Sequence, residues 1–510
     1  MPTAHLILDP RSVVGPVNRR LFGSFVEHLG RCVYDGIYEP GHPTADASGF
    51  RGDVVELVRE LGVSAIRYPG GNFVSGYRWE DGVGPRAERP RRLDLAWHST
   101  ETNEIGLDEF ADWLELVGSE LMYAVNLGTR GVQEALDVLE YANVRSGTRL
   151  SEWRIANGRA EPHRIGMWCL GNEMDGPWQL GHGTADEYGA LASKTAKAMR
   201  QLDPGLELVV CGSSGASMPT FGEWERTVLE HTYDDVDYIS CHAYYEEKDG
   251  DLDSFLASAI DMDGFIDTVV ATADRVKAER GSDRTINISF DEWNVWYLER
   301  FMTVDKITDI HDWPVAPRLL EDSYSVADAV VFGSLLISLL RHADRVTSAS
   351  LAQLVNVIAP IMTEPNGPAW RQTTFFPFAE TSRLATGEAL AVSLSSDTYE
   401  TKKYGTVNLV DAVATHDAAT GTSSVFLVNR DTSSDAHVTI DVSALGPVSV
   451  VAARTLADRD IRAANTLDDM ERVGLTDNLS AVAGAGTVTI ALPPVSWTAL
   501  SLAPSRGPLD

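Results

Sequence analysis

The chain has 510 residues, enough for one large domain and a smaller one, and its 44% apolar and 8% aromatic content is that of an ordinary globular protein. Acidic residues outnumber basic ones 74 to 42, giving a formal net charge of -32. A surface charged in this way repels phosphate backbones and anionic lipid, which argues against nucleic acid and membrane as partners and favours a neutral substrate.

The first residues, MPTAHLILDPRSVV, have no basic start ahead of a long apolar segment, so neither a signal peptide nor an anchor is expected and the expected location is cytoplasmic. Within them Ala4 to Leu8 reads as a strand that stands apart from the main pattern and is free to pair with a distant sheet. Thereafter apolar strands alternate with amphipathic helices. Strands are expected near Leu21 to Phe25, Val63 to Tyr68, Leu121 to Asn126, Ile165 to Leu170, Leu206 to Cys211, Tyr238 to His242, Ile286 to Phe290 and Val346 to Leu351. Helical periodicity fills Asp53 to Leu61, Leu107 to Val117, Val132 to Tyr141, Ala185 to Leu202, Phe221 to His231, Phe265 to Arg280 and Ser325 to Arg341.

Such an alternation of eight strands predicts an α/β fold, a (β/α)8 TIM barrel with enlarged loops, over residues 19–385. A doubly wound open sheet is the alternative. Against it, no glycine-rich phosphate turn follows the first strand, and GSSG at Gly212 to Gly215 is too short for a dinucleotide fingerprint. Two connections, Gly70 to Gly106 and Trp296 to Ser323, are long enough to be functional or to help assembly.

From about Thr386 short β-rich runs such as SSVFLVNRD, AHVTIDVSAL and GTVTIALPP are separated by Asp, Ser, Gly and Thr, the pattern of an all-β sandwich, jelly-roll-like. The strand at Ala4 to Leu8 would complete it, so this domain is expected to comprise 1–18 plus 386–510. It carries no catalytic cluster and reads as structural, with carbohydrate binding as the alternative. Cys32, Cys169, Cys211 and Cys241 lack CxxC spacing and read as buried reduced thiols; the histidines show no paired-ligand spacing. No metal and no cofactor are expected.

The chemistry gathers at strand ends. In RIGMWCLGNEMDGPW, Arg164 to Trp178, a strand without polar alternation runs into Asn172 and Glu173, and about 120 residues on INISFDEWNVWY ends in Glu292 among aromatic residues. A lone Asn-Glu pair reads more plainly as a cap or a loop carboxylate. Two carboxylates on two strand ends of one barrel match what glycoside hydrolysis needs: an acid for the leaving oxygen, and a carboxylate that attacks or activates water. Neighbouring tryptophans suit the apolar faces of sugar rings.

Longer motifs extend the match. FGSFVEHLGRCVYDGIYEP from Phe22, RYPGGNFVSGYRWEDGVGP from Arg67, WHSTETNEIG from Trp97, CLGNEMDGPWQLGH from Cys169, CHAYYE from Cys241, DEWNVWY from Asp291, AQLVNVIAPIMTE from Ala352 and the closing LPPVSWTALSL resemble glycoside hydrolase family 51, in particular its α-L-arabinofuranosidases. The resemblance spans essentially the whole chain. It implies a clan A barrel with a β-sandwich, and a retaining exo-acting enzyme that releases terminal arabinofuranose from arabinan, arabinoxylan or arabino-oligosaccharides by double displacement.

Carried over residue by residue, it makes Glu173 the general acid/base and Glu292 the nucleophile, with carboxyl groups about 5 Å apart. Repulsion between carboxylates at that distance helps keep one protonated while the other is ionised. Asn172 would bond the hydroxyl next to the reacting carbon, and Tyr244 and Arg67 would hold the nucleophile. Glu27, Asn72 and Gln353 would bind the other arabinofuranose hydroxyls, and Trp97, Trp178 and Trp296 would stack on the sugar or its leaving group. His182 and His242 lie near these motifs; for His242 an inward residue with a satisfied hydrogen bond is expected in preference to a proton-transfer role. The resemblance also implies a homo-oligomer, commonly a hexamer. Two readings compete: a retaining endo-glucanase or xylanase of the same site plan, and a catalytically silent carbohydrate-binding protein.

Overall fold

Eight parallel strands close into a barrel: β1 (Gly23–Phe25), β2 (Ala65–Tyr68), β3 (Glu120–Ala124), β4 (Met167–Leu170), β5 (Glu207–Val210), β6 (Tyr238–Tyr245), β7 (Asn287–Val295) and β8 (Val346–Ala352), with β8 pairing back onto β1. The computed structural model describes residues 2–505; residues 1 and 506–510, assigned above to the sandwich, lie outside the described residues. Helices covering the barrel are α1 (Gly52–Leu61), α2 (Leu107–Val117), α3 (Val132–Asn143), α4 (Ala185–Leu202), α5 (Glu223–Thr232), α6 (Ala259–Arg280), α7 (Val326–Arg341) and α8 (Phe375–Leu384). Strands β2 and β4 are buried at every position, as parallel strands covered on both faces must be.

The structure corrects several expected boundaries. Leu21 and Phe22 are not in β1 but in a single 3-10 turn, Arg19–Phe22, where the Asn18 side chain accepts from the Arg20 amide; their apolar character reports burial, not extension. Strand β7 runs past Phe290 to Val295. A register shift between Ser240 and His242 lets the β6–β7 ladder continue and sets His242 opposite Glu292. The seven expected helices omit α8, whose Pro377 reads as a breaker but stands in the first turn, where no N–H is needed for an intrahelical bond. They also omit a short helix, Arg149–Ala156, capped by Thr148.

The β-rich part forms two large sheets and a small hairpin, Thr398–Thr401 with Gly405–Asn408. In the five-stranded sheet Thr3–Ile7 lies between Ser393–Ser396 and Ala436–Asp441, parallel to the latter. The seven-stranded sheet has Val13–Pro16 at one edge and Val410–Asp417, Thr422–Asn429 and Ser496–Pro504 at its centre. Leu6, Ile440, Val425 and Leu502 meet in a core between the sheets.

Helix α7 joins the two parts. Val326 to Leu340 are all buried, because the helix is covered by the barrel on one side and by the sandwich on the other. Ser325 caps it, exchanging hydrogen bonds with Asp328. At Gly333 a Cβ would come within 2.2 Å of the Trp497 ring, so only glycine lets the sheet approach this closely. Where α7 ends, Arg341 bonds both Asp263 and Asp411, and Arg430 bonds Asp411 at 3.0 Å from the sandwich side.

The two long loops meet above the barrel mouth. Thr100 donates from its amide to Pro314 O at 2.9 Å and from its hydroxyl to Trp313 O at 2.7 Å, and His98 stacks on Trp313 with ring centroids 3.7 Å apart. Each loop therefore supports the other as a wall of the cleft.

Candidate active site

Strand ends β2, β4, β6 and β7 bring five polar side chains together, Arg67, Glu173, His242, Tyr244 and Glu292. After β4 the chain turns sharply through Gly171, at φ +94°, and Glu173, at φ +45°; the latter is unusual for a residue with a Cβ and is maintained by the structure around it. The buried Glu173 carboxyl pairs with His242 Nδ1 at 2.9 Å through one oxygen and accepts from Trp178 Nε1 at 2.7 Å through the other. Glu292, in β7, accepts from Arg67 at 2.8 Å and from the Tyr244 hydroxyl at 2.6 Å. His242 Nδ1 also lies 3.7 Å from Glu292, so the ring stands between the two carboxyl groups. The three groups offer atoms within 4.8 Å of one another. That spacing is also compatible with a cation, but the Arg67 guanidinium already supplies positive charge to Glu292.

The electrostatics separate the groups. Burial alone would raise the pKa of Glu292, but His242, Arg67 and the Tyr244 hydroxyl outweigh it and hold the carboxyl below the ordinary glutamate value. Burial opposes charge on His242, yet the facing Glu292 and Glu173 outweigh it and raise the ring above the usual histidine value. The Tyr244 hydroxyl is raised well above its ordinary value by burial and by Glu292, so it remains a donor. Asn172 accepts from Arg67 through Oδ1 and donates to Asn72 Oδ1 at 3.2 Å, which orients both amides.

Beside this cluster lies a second polar group centred on Glu27. It accepts from the Phe73 amide and from Trp97 Nε1, each at 2.8 Å, and from Gln353 Nε2 at 3.2 Å. Burial pushes its carboxyl up to about 8. Gly71 forms the floor between the two groups: a Cβ there would lie 3.1 Å from a Glu292 oxygen and 3.3 Å from a Glu27 oxygen. Trp296 packs edge-on against Tyr244, centroids 5.0 Å apart, and Phe301 touches both Trp97 and Trp296. The result is a small cleft with polar walls and an aromatic rim.

Two family models match the chain, an α-L-arabinofuranosidase 1 domain over residues 57–259 and an α-L-arabinofuranosidase C-terminal domain over residues 291–496. It is 62% identical to an exo-α-(1->6)-L-arabinofuranosidase of Bifidobacterium longum, over 98% of this chain and 97% of that one. The solved structure of AbfB, a family 51 α-L-arabinofuranosidase from Bifidobacterium longum, is 52% identical, with a TM-score of 0.94 over 98% of this chain and 99% of that one. The chain belongs to the family 51 α-L-arabinofuranosidases.

Two other similar proteins widen the comparison. An intracellular exo-α-(1->5)-L-arabinofuranosidase of Streptomyces lividans is 61% identical over 99% of this chain and 76% of that one. An α-L-arabinofuranosidase from Thermotoga maritima, solved as an arabinose complex, is 32% identical, with a TM-score of 0.86 over 98% of this chain and 99% of that one. No helix among the described residues is long and apolar enough to cross a membrane.

In this arabinofuranosidase Glu292, Arg67, Asn172, Asn72 and Tyr244 share one hydrogen-bonded cluster, Glu173 adjoins it through His242, and Glu27, Gln353 and Trp97 share the cluster beside it. Trp178 is half exposed at the rim, tied to Glu173. His182 is exposed and bonds only the Gln179 carbonyl, so it is not part of either cluster. His242 is the inward, hydrogen-bonded residue that was expected: Nδ1 is engaged by Glu173, while the buried Nε2 has no protein partner. Its place was available from period 2, since His242 and Tyr244 in CHAYY must share a face of β6. Two features had no such signal. Asp291 lies beneath the site, bonded by Ser289 and 3.9 Å from Arg67 Nε; His28 joins Glu101 at 2.9 Å and Tyr68 at 2.8 Å, bracing the loop that carries Trp97.

Proposed function

We propose that this enzyme is a retaining, exo-acting α-L-arabinofuranosidase that removes terminal non-reducing arabinofuranose from arabinan, arabinoxylan or arabino-oligosaccharides, with Glu292 as nucleophile and Glu173 as general acid/base. One observation carries the reading: atoms of both carboxyl groups and of the histidine between them fall within 4.8 Å of one another. Retaining glycosidases hold their carboxyl groups about 5–5.5 Å apart, whereas inverting ones leave about 6.5–9.5 Å for a water.

In the first half-reaction Glu292 attacks the anomeric carbon while the bond to the leaving oxygen breaks and Glu173 gives that oxygen its proton. In the second, Glu173 takes a proton from water, the water oxygen attacks the same carbon, and the bond to Glu292 breaks. Arg67 and Tyr244 keep Glu292 ionised and aimed. Asn172 bonds the hydroxyl next to the reacting carbon, a contact that strengthens as positive charge develops. Glu27, Asn72 and Gln353 take the remaining hydroxyls, and buried groups of this kind reject sugars that leave them unpaired. Trp97, Trp178 and Trp296 stack on the sugar and on the leaving group.

An exo mode is supported by the buried hydrogen-bonding groups around Glu27 and by relatives named for exo action on (1->5) and (1->6) linkages; an endo-glucanase or xylanase would need an open run of subsites. The reading includes a cytoplasmic location, in line with relatives named intracellular, a homo-oligomer, hexameric by family resemblance, and a division into a catalytic barrel over 19–385 and a sandwich of 1–18 plus 386–510.

The test is hydrolysis of 4-nitrophenyl α-L-arabinofuranoside by wild type and by Glu173→Ala with azide. The variant is expected to lose at least about a hundredfold on substrates with poor leaving groups and far less on the nitrophenolate, because only the former need an acid. Azide should restore turnover and yield arabinosyl azide of the substrate's anomeric configuration. A product of inverted configuration, or a wild type inert on the arabinoside, overturns the proposal.

A further inference from the structure

His242 holds Glu173 through Nδ1, and the opposite nitrogen decides which tautomer and which charge it presents. That nitrogen, Nε2, is buried and has no protein partner. Two more buried side-chain atoms in the same condition belong to neighbouring segments: Asp175 Oδ1, two residues past Glu173, and Ser213 Oγ, just past β5. The β5–β6 ladder pairs Tyr238 with Val209 and Ile239 with Val210, and past it the Gly212 amide donates to the Ser240 hydroxyl at 3.1 Å, so the chain at Ser213 runs toward His242. Asp175 is fixed by its other oxygen, which accepts from the Ser214 amide at 3.0 Å and from its hydroxyl at 3.1 Å. Asp175 and His242 are too far apart for direct contact, yet each acts on the other's charge. Buried polar atoms left over on adjoining segments are normally joined by an ordered water with two to four partners.

We propose that Asp175 is a positioning residue: with Ser213 and one bridging water it takes the Nε2–H of His242, fixing the ring that holds Glu173, and its negative charge keeps the acid/base system protonated to higher pH. This rests on the reading of Glu173 as acid/base. Burial raises the Asp175 carboxyl to about 6, so it is ionised across the neutral and alkaline range where its charge is needed. The charged groups that act on His242 are Glu173 from the end of β4, Glu292 and Asp291 from β7, Arg67 from β2 and Asp175 from the β4–α4 loop. Arg67 faces both Glu292, at 2.8 Å, and Asp291, at 3.9 Å, and offsets their charge, which leaves Asp175, besides Glu173 itself, as the carboxylate near His242 that Arg67 does not pair. A nearby negative charge favours protonated forms whichever group carries the proton, so its removal must lower the pKa of the alkaline limb.

The experiment is the pH profile of kcat/KM on an α-(1->5)-linked arabino-oligosaccharide, which needs the acid, and on 4-nitrophenyl α-L-arabinofuranoside, which does not. Asp175→Asn keeps an acceptor for Ser214 and removes the charge. The alkaline limb on the oligosaccharide should move down by about one pH unit, so that the rate well above the limb falls about tenfold. The profile on the nitrophenyl glycoside should not move, and Asp175→Glu should return the limb toward the wild type. Asp175→Ser, neutral and able to keep a hydroxyl near the bridging position, serves if the asparagine variant does not fold. A limb that stays in place, or equal losses on both substrates at all pH values, overturns the proposal. Failure of azide rescue in Glu173→Ala would instead overturn the acid/base reading, so the two failures are told apart.

Discussion

At the scale of single residues, the site works by making two glutamates unlike. Both are buried, and burial alone would push Glu292 toward the neutral form. Glu292 escapes because it faces Arg67 and receives a hydrogen bond from Tyr244, whereas Glu173 faces a histidine and an indole N–H. A folded-state pKa depressed below the unfolded value means that Glu292 is ionised, and contributes stability, above the ordinary glutamate range; both are lost as pH falls through its lowered value. The acid limb of kcat/KM should therefore lie below the ordinary glutamate value. Tyr244→Phe removes one donor to the ionised form, so the limb should move up by about one unit, with a loss of about tenfold at low pH. A limb that stays in place in Tyr244→Phe would show that Arg67 and His242 alone hold the nucleophile ionised.

At the scale of elements, the barrel sets the site through strand ends that are far apart in sequence. The β6–β7 register shift aligns His242 with Glu292, and without it the histidine and nucleophile would stand on different levels. The helices are less interchangeable than their patterns imply. Helix α7 is buried on every side, and its Gly333 lies against the Trp497 ring. Gly333→Ala trades a better helix former for a clash in a packed interface, and overpacking of this kind costs about 1–3 kcal/mol. Its midpoint in thermal or urea unfolding should fall, whereas helix propensity alone would raise it by under about 1 kcal/mol.

At the scale of the whole molecule, the sandwich carries no group of either site cluster but completes the core of the catalytic part. Trp497 from the last strand belongs to the same apolar cluster as β7 and α7, and Arg341 bonds carboxylates on both sides. Thr3–Ile7 lies inside the five-stranded sheet, so the chain's beginning is held between strands from its last quarter. Barrel and sandwich should unfold in a single calorimetric transition with simultaneous loss of activity. Two resolved transitions, with activity surviving the first, would show that the shared core around α7 does not couple them.

How much was legible in the residues alone differs with the kind of information. Strand and helix alternation, the β-rich tail, the buried cysteines and the two glutamates follow from composition, period and motif, because those signals are local and the barrel repeats one unit. The motifs of family 51 add the substrate class, since long stretches such as CLGNEMDGPWQLGH stand where a site must be built. Tertiary structure alone decided the rest: that Leu21 and Phe22 turn in place of extending, that β7 carries Glu292 within it, that α8 tolerates Pro377, that Asp291 lies beside Arg67, and that Asp175 and Ser213 keep buried oxygens without a protein partner. The physical reason is common to all of these. Apolar character records that a residue is buried, not against what, and a polar residue's partner across the barrel is set by strand register and loop closure over a hundred residues of chain.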